Sequence, residues 1–170
     1  MKRTQKAVCT DPPRHVHDED ELLREVGRVC NERGLRLTPL RADVLRLVAR
    51  SDRPIKAYDL LSHIRASKAT TAPPTAYRTL DFLIENGFVH KLESINAFVA
   101  CHHPSTQHSV PFLICDDCQL TVEMEDERTA KALGESARDL GFTATSQNLE
   151  VHGLCKHCRR GRRATPHIRA

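Results

Sequence analysis

The chain has no tryptophan, and only 4% of its 170 residues are aromatic. No run approaches the roughly 18 consecutive apolar residues of a membrane span, so the sequence predicts no transmembrane helix. Residues 1–20 are polar and lack the apolar segment of a secretory signal peptide. These absences predict a protein of the cytoplasm with no membrane partner, and the length predicts one or two domains.

Several enzyme signatures are also missing. The sequence has neither a glycine-rich phosphate loop nor a nucleophile elbow. His17, Glu19 and the Cys115 region loosely match the zinc deaminase signature, but Pro111 does not directly precede Cys115 and His17 lies in a polar segment. We therefore expect no catalytic residues and no small-molecule substrate. A zinc enzyme and a purely structural zinc-ribbon module are the alternatives from other classes.

Cysteine is abundant by comparison, with seven residues. An odd number without an export signal predicts reduced thiols rather than disulfides. Cys115 and Cys118 form one Cys-x-x-Cys pair, and Cys155 and Cys158 form another after 36 intervening residues. Two such pairs are typical of a closed tetrahedral zinc site with a structural role. A redox role needs a helix that begins inside the motif, and we expect none after Cys118 or Cys158.

Six further potential metal ligands lie between a predicted β-hairpin and a small C-terminal domain: His90, Cys101, His102, His103, His108 and Glu123. A single thiolate among imidazole and carboxylate groups suits a divalent transition metal and favours zinc over iron or manganese. Ligands drawn from both sides of a hinge would fix the orientation of two domains, which makes this group a candidate switch. Scattered surface histidines beside a half-buried cysteine are the alternative.

Charge is unevenly distributed, although the formal net charge is only +4. Residues 33–78 contain ten Lys or Arg and three acidic residues, whereas residues 101–155 contain three basic and nine acidic residues. From residue 156 onward there are six basic residues and no acid. A basic block confined to one folded segment is typical of a polyanion-binding protein, and a solvated helical face is the alternative.

The hydrophobic pattern predicts an α+β protein with two domains. Helical spacing within residues 18–34, 38–50, 57–66 and 73–86 is followed by a hairpin over 88–100, which is the order of a winged helix. Two strands around a tight turn, a helix over 126–140 and a strand over 142–151 then form a domain small enough to need a metal or a partner. The expected organisation is a disordered leader (1–17), a winged-helix DNA-binding domain (18–101), a hinge (102–108), a small α+β dimerisation domain (109–158) and a basic tail (159–170).

The fourth helix is expected to enter the major groove of DNA. Its spacing places Tyr77, Leu80, Leu83 and Ile84 inward and leaves Thr75, Arg78 and Thr79 facing solvent. Arg78 is the best candidate for reading a base, because a guanidinium pairs with guanine O6 and N7; a surface ion pair is its alternative. The other expected DNA contacts are Tyr58, Thr75, Tyr77, Arg41 and Lys56, with core packing as an equal alternative for Tyr77.

Six segments carry a family resemblance: LRLTPLR (35–41), AYDLL (57–61), PTAYRTLDFL (74–83), GFVHKLES (87–94), FLICDDC (112–118) and HGLC (152–155). In this order and with both cysteine pairs, they resemble the ferric-uptake-regulator family of metal-responsive repressors, and within it the zinc uptake regulators. The resemblance covers about residues 20–158. It implies a homodimer whose winged helices bind palindromic double-stranded operators and whose C-terminal domains dimerise.

The resemblance also implies the roles of the metal ligands. Cys115, Cys118, Cys155 and Cys158 hold a structural zinc, and His90, Cys101, His108 and Glu123 form a regulatory zinc site, giving two zinc ions per monomer. His102 or His103 is an alternative to His108. The expected function is a zinc-responsive repressor of zinc-uptake genes that binds its operator when the regulatory site is filled, with an iron- or peroxide-responsive regulator as the alternative. The basic tail has no counterpart in the family and either adds phosphate contacts or is disordered.

Overall fold

The structure is a computed structural model that describes residues 19–51, 53–67, 73–105, 111–124, 127–145 and 147–163. Within these ranges the chain forms two compact units, residues 19–105 and residues 111–163. The predicted leader and the last seven residues of the predicted tail lie outside the described residues. No helix in the described ranges is both long and apolar enough to cross a membrane.

The first unit contains four helices and three short strands. Its elements are α1 (Glu19–Glu32), α2 (Pro39–Arg50), β1 (Ile55–Lys56), α3 (Ala57–Ser67), α4 (Pro73–Glu85), β2 (Val89–Leu92) and β3 (Ala97–Ala100). The strands form an antiparallel sheet in the order β1-β3-β2. Helices followed by a hairpin confirm the predicted winged-helix order, and the two-residue strand β1 is an addition to it.

Local sequence explains where the central helices begin and end. Thr38 caps α2, because its side chain accepts a hydrogen bond from the Arg41 N–H, and Pro39 occupies the first helical position. Gly87 follows α4 with a φ of +73°, a left-handed conformation that glycine adopts without steric cost. The turn that leads from α4 into the hairpin therefore depends on this glycine.

The core of the first unit lies between the helices and the hairpin. Leu45, Leu60, Leu83 and Phe88 are fully buried in it, and α1 adds Leu22, Val26, Val29 and Cys30. Apolar burial of this extent is the main source of folding free energy in a small domain. Contacts within the core fix the position of α4. The residues on the exposed side of this helix take no part in the core.

The predicted orientation of α4 is wrong at two positions. The buried residues are Ala76, Thr79, Leu80 and Leu83, which follow the i, i+3, i+4, i+7 pattern of one helical face. Tyr77 is 53% exposed, because it is rotated by about 100° from Ala76 around the helix axis. Thr79 is buried, and its hydroxyl donates a hydrogen bond to the Thr75 carbonyl at 2.9 Å. The helix therefore presents Tyr77 rather than Thr79 to solvent.

The second unit is a small sheet with two helices. Its elements are β4 (Phe112–Cys115), β5 (Thr121–Glu123), α5 (Glu127–Asp139), β6 (Glu150–Gly153) and α6 (Lys156–Arg163). β4 lies in the middle of the sheet, antiparallel to β5 and parallel to β6. The α+β class is as predicted, but the strand predicted from residue 142 begins only at Glu150, where pairing with Phe112 starts.

Helix α6 corrects two further expectations. It begins at Lys156, inside the second Cys-x-x-Cys motif, and it includes Arg159 and Arg160, which were assigned to a tail. The Arg159 N–H donates a hydrogen bond to the Cys155 carbonyl at 2.9 Å, so Cys155 caps the helix. Arginine and lysine favour helix formation, which explains a helix without an apolar stripe.

Candidate metal centre and nucleic-acid interface

Four cysteine side chains of the second unit converge on one point. Cys115 ends β4, Cys118 lies in the turn after it, Cys155 precedes α6, and Cys158 lies in the first turn of α6. Their sulfur atoms all lie within 4.8 Å of one another. No disulfide joins any of the six cysteines that the structure describes.

The sulfur positions fit a tetrahedral zinc ion. Zinc binds thiolate sulfur at about 2.3 Å, and ligands at that radius on a tetrahedron lie about 3.8 Å apart. The Sγ atoms of Cys118 and Cys155 are separated by 3.8 Å. Four protein sulfurs fill every position of a tetrahedral shell and leave none for water or substrate, so the arrangement suits a structural ion.

Backbone hydrogen bonds stabilise the thiolate form of Cys115, which is the form that binds a metal ion. Burial raises the pKa of its thiol, but the backbone N–H groups of Cys118, Cys155 and Asp117 outweigh burial and lower this pKa to about 6. One of these bonds, from the Cys155 N–H to the Cys115 Sγ, measures 3.3 Å. Burial and neighbouring sulfurs raise the pKa of Cys158, because four thiolates cannot all be charged together without a cation.

The site is braced by a hydrogen-bond contact between two side chains of the same unit. Asp116 follows Cys115, and its Oδ1 lies 3.0 Å from Nδ1 of His152 in β6. In the parallel register of the sheet, His152 pairs with Ile114 and Gly153 pairs with Cys115. The turn that carries the first cysteine pair is thus tied to the strand that leads to the second.

His90 and Cys101 lie together in the first unit. His90 belongs to β2 and is half-buried, whereas Cys101 directly follows β3 and is fully buried. The Cys101 Sγ and a ring nitrogen of His90 lie within 4.8 Å of each other. The His103 N–H also points to the Cys101 Sγ at 3.4 Å, a contact that stabilises a thiolate.

The other predicted regulatory ligands have different positions in the chain. Glu123 ends β5 in the second unit and is buried, with 3% of its surface exposed. His103 is buried and His102 half-buried, both just after Cys101. His108 lies outside the described residues. The complete set of regulatory ligands, including the choice between His108 and its alternatives, stays a prediction.

Five of the six predicted DNA contacts are accessible: Lys56, Tyr58, Thr75, Tyr77 and Arg78. Tyr58 is 80% exposed at the start of α3. Arg78 is exposed, and no carboxylate pairs with it in the part of the chain that the structure describes, so its predicted alternative, an ion pair, is absent there. The exposed hydroxyl, ammonium and guanidinium groups of these five residues can form hydrogen bonds with phosphate and base edges.

Arg41, the sixth predicted contact, is engaged within the protein. Its guanidinium carbon lies 3.4 Å from the centre of the Phe82 ring in α4, and its Nη1 donates a hydrogen bond to the Arg36 carbonyl. Arg41 therefore links α2 to α4. The sequence did not reveal this role, because Arg41 and Phe82 are distant in the chain.

Sequence reasoning also missed Arg33. Its guanidinium donates hydrogen bonds to the carbonyls of Asn86 at 3.1 Å and Ser105 at 3.5 Å, and it lies 6.0 Å from the centre of the Phe88 ring. It thus joins the end of α1 to the turn after α4 and to the segment after Cys101. No local motif marks such a residue, since its hydrogen-bond acceptors lie 53 and 72 residues away in the chain.

Comparison with known proteins agrees with this geometry. Residues 32–152 match the model of the ferric uptake regulator family. The chain is 42% identical over 139 residues to a zinc uptake regulation protein of Escherichia coli K12, covering 81% of each. It resembles the crystal structure of holo XcZur (TM-score 0.78, 58% identity, 84% of this chain and 99% of that one). It also resembles a zinc uptake regulator complexed with zinc and DNA (TM-score 0.80, 40% identity, 85% and 97%). The chain belongs to the ferric uptake regulator family.

Proposed function

We propose that this chain is a zinc-responsive transcriptional repressor that binds palindromic operator DNA as a homodimer and represses zinc-uptake genes. The similarity along most of the chain to a zinc uptake regulator in complex with zinc and DNA carries the proposal. We further propose that the chain is a regulator rather than an enzyme and that it acts in the cytoplasm.

A structural zinc ion is assigned to Cys115, Cys118, Cys155 and Cys158. The sulfur spacing and the hydrogen bonds to Cys115 support this assignment. The ion would join the turn after β4 to the start of α6 and so hold together a unit with a small core. It takes no part in chemistry, because every coordination position would be filled by protein.

A regulatory zinc ion is assigned to His90, Cys101, His108 and Glu123, which makes two ions per monomer. The proximity of His90 to Cys101 and the burial of Glu123 support the choice, and His108 is taken from the family resemblance. Zinc would act as a cross-link that favours one arrangement of the chain. If that arrangement also binds DNA more tightly, DNA and zinc increase each other's affinity by the same factor.

The DNA-binding surface is assigned to α3 and α4. Arg78 reads a base, while Tyr58, Thr75, Tyr77 and Lys56 contact phosphate or a thymine methyl group; this division follows from their exposure and chemistry. Arg41 contributes by holding Phe82, and with it α4, in place. This changes its expected role from a direct electrostatic contact to a positioning one.

Exposed apolar side chains of the second unit support the homodimer. Leu113 and Val151 pair in register on β4 and β6, with 37% and 47% of their surfaces exposed. Leu140 and Phe142, which follow the end of α5, are 76% and 70% exposed. Apolar patches of this kind mark association surfaces, and β6 has a free edge within the described sheet.

The first experiment captures fragmented genomic DNA on the purified protein, with free zinc buffered either low or replete at one fixed salt concentration. We expect a few palindromic promoter fragments to be enriched only with zinc, upstream of zinc-uptake genes. Fixed salt is needed because phosphate contacts alone change affinity steeply with salt. Equal retention of all fragments in both states would contradict the proposal.

The Cys101→Ser variant separates zinc sensing from the alternative within the family. We expect it to abolish the zinc-dependent enrichment while leaving weak, sequence-independent retention, because Cys101 is a ligand of the regulatory ion. An iron- or peroxide-responsive regulator predicts that metal-dependent binding survives this substitution. Cys30→Ser is the matched control, since Cys30 is a buried thiol in the core of the same unit.

A further inference from the structure

Helix α6 carries a concentration of positive charge that the proposed function does not use. Its sequence is KHCRRGRR, with no acidic residue. The side chains of Lys156, Arg159 and Arg160 are exposed. Since they occupy positions i, i+3 and i+4, they share one face of the helix.

The part of the chain that the structure describes supplies no carboxylate partner to these three cations. Within the described ranges, no salt bridge involves Lys156, Arg159 or Arg160. Several exposed cations elsewhere in the chain do have carboxylate partners: Arg28 pairs with Glu25 and Glu32, Arg50 with Glu19, and Lys131 with Glu135. An unpaired basic surface attracts polyanions more strongly than one whose charges are compensated.

The helix is also held in a fixed position on its own unit. Cys155 caps its first turn through the Arg159 N–H, and the Cys158 N–H points to the Cys155 Sγ at 3.5 Å. Cys158 itself is buried, on the side of α6 away from the basic face. Because two of the four sulfurs flank the first turn, the candidate zinc centre fixes the direction of the helix.

We propose that α6 is a second nucleic-acid contact, which binds the phosphate backbone of DNA without reading bases. This inference rests on the proposed DNA-binding function and extends it to a surface outside the winged helix. Two arginines and a lysine on one helical face suit successive phosphates, which accept hydrogen bonds from such side chains at any base sequence.

The chemistry of the helix favours nucleic acid over other anionic partners. A helix that binds anionic membranes combines basic residues with large apolar ones, and α6 has no apolar residue besides Cys158. Protein interfaces are usually anchored by buried aromatic or aliphatic side chains, which α6 also lacks. Phosphate contacts need only the cations that are present.

The test is the salt dependence of DNA affinity. Fluorescence anisotropy is measured on the zinc-loaded, full-length chain with a labelled duplex from the genomic capture and a scrambled duplex of equal composition. Each phosphate contact contributes about 0.9 to the slope of log K against log salt. Because the proposed homodimer carries two copies of α6, the Arg159→Ala/Arg160→Ala variant removes four contacts and is expected to lose about 3.6 from the slope on both duplexes. Between about 50 and 200 mM salt, the affinity of the variant then falls about 150-fold less than that of the wild type.

Two controls make the result specific. The Lys131→Ala/Arg138→Ala variant removes the same charge from α5 of the same unit and is expected to keep the wild-type slope. The Arg159→Lys/Arg160→Lys variant keeps the charge and is expected to keep the slope as well. Zinc content and dimer mass are measured first for every variant, and the lysine variant still reports on α6 if the alanine variant fails to fold.

The outcomes separate this inference from the function on which it rests. An unchanged slope in the alanine variant, or an equal loss in the α5 control, overturns the role of α6 and leaves the repressor proposal intact. A slope lost by the lysine variant overturns a charge-based contact. A wild-type chain that binds neither duplex, with or without zinc, overturns both proposals.

Discussion

Arg78 and Arg41 are both arginines of the winged helix, but their guanidinium groups have different surroundings. Arg78 is exposed on α4 without a carboxylate partner among the described residues, whereas Arg41 packs against Phe82. An unpaired, exposed guanidinium keeps its hydrogen-bond donors available to a ligand, and a stacked one is held by the protein. Their substitutions should therefore have different consequences.

Replacing Arg78 with alanine should remove a base-specific contact. We expect Arg78→Ala to weaken operator binding by about 1–3 kcal/mol and binding to scrambled DNA much less, because a bidentate contact with guanine discriminates between bases. Competition binding on the two duplexes measures the difference. Arg24→Ala, which removes an exposed cation from α1, is the control. An equal loss on both duplexes would show that Arg78 contacts only phosphate.

Cys30 should behave as an inert thiol. Burial raises its pKa, and the nearby charges of Arg41 and Arg33 compensate only in part. Because the thiolate is the reactive form, we expect alkylation of Cys30 in the native protein to be far slower than in denaturant. Mass spectrometry after iodoacetamide treatment at pH 8 measures both rates. Comparable rates in the two states would contradict its burial in the core.

The position of helix α4 depends on a contact with Arg41, a residue of helix α2. The Arg41 guanidinium covers the Phe82 ring, and Phe82 also lies 6.2 Å from Phe88, measured between ring centres. This arrangement connects the start of α2 to the helix that carries Arg78. A change at Arg41 should therefore act on DNA binding through the position of α4.

A double-mutant cycle tests the link between α2 and α4. We expect Arg41→Gln and Phe82→Leu to couple by about 0.5–1 kcal/mol in free energy of unfolding, the usual size of a cation–π contact that is partly exposed. Urea denaturation of the four proteins gives the coupling energy. Arg46→Gln with Phe82→Leu provides the control pair, since Arg46 pairs instead with Asp43. Additive effects for Arg41 would show that the stacking contributes nothing to stability.

The element order was largely readable from the sequence, because apolar spacing, Thr38-Pro39 and Gly87 act locally. The errors have nonlocal causes. The spacing from Leu80 and Ile84 predicts Tyr77 in the buried stripe, but Ala76 and Thr79 fill that face. β6 begins where β4 is available for pairing, which spacing within residues 142–151 does not reveal. Both cysteine pairs were predictable from their motifs, whereas the partners of Arg33 were not, because distant backbone carbonyls leave no local pattern.

At the scale of the whole molecule, the two units differ in what stabilises them. The first has a continuous apolar core, and the second combines a three-stranded sheet with the candidate zinc centre and exposed apolar residues. A small unit with a thin core depends on its metal and its partner. Loss of either should affect the second unit first.

Removing one structural ligand should unfold the second unit selectively. We expect Cys118→Ser to lose one zinc ion per monomer and, with it, the protection of β4, β5 and β6 in amide hydrogen exchange, while α1 and α2 stay protected. Metal analysis and hydrogen exchange measure the two effects. Cys30→Ser, outside the zinc centre, should keep its zinc. A Cys118→Ser protein with normal zinc content and an intact dimer would refute the structural assignment.

The exposed face of the sheet should hold the dimer together. We expect Val151→Glu to shift the protein to monomers, because it places a charge where apolar surface would be buried. Analytical ultracentrifugation with zinc present measures the mass. Glu135→Gln on α5 is a control that leaves this face unchanged. A Val151→Glu protein that stays dimeric would place the interface elsewhere.

The parallel pairing of β4 with β6 has a consequence for folding kinetics. Parallel neighbours need a long crossover, so β4 stays unpaired on one side until the 34 residues between Cys115 and Glu150, which include α5, have been arranged. Contacts distant in sequence form slowly, and the first unit has its hairpin and neighbouring helices close in the chain. The two units should therefore reach their native states at different rates. Because zinc would bind cysteines at both ends of the crossover, it would hold these ends together and speed the folding of the second unit.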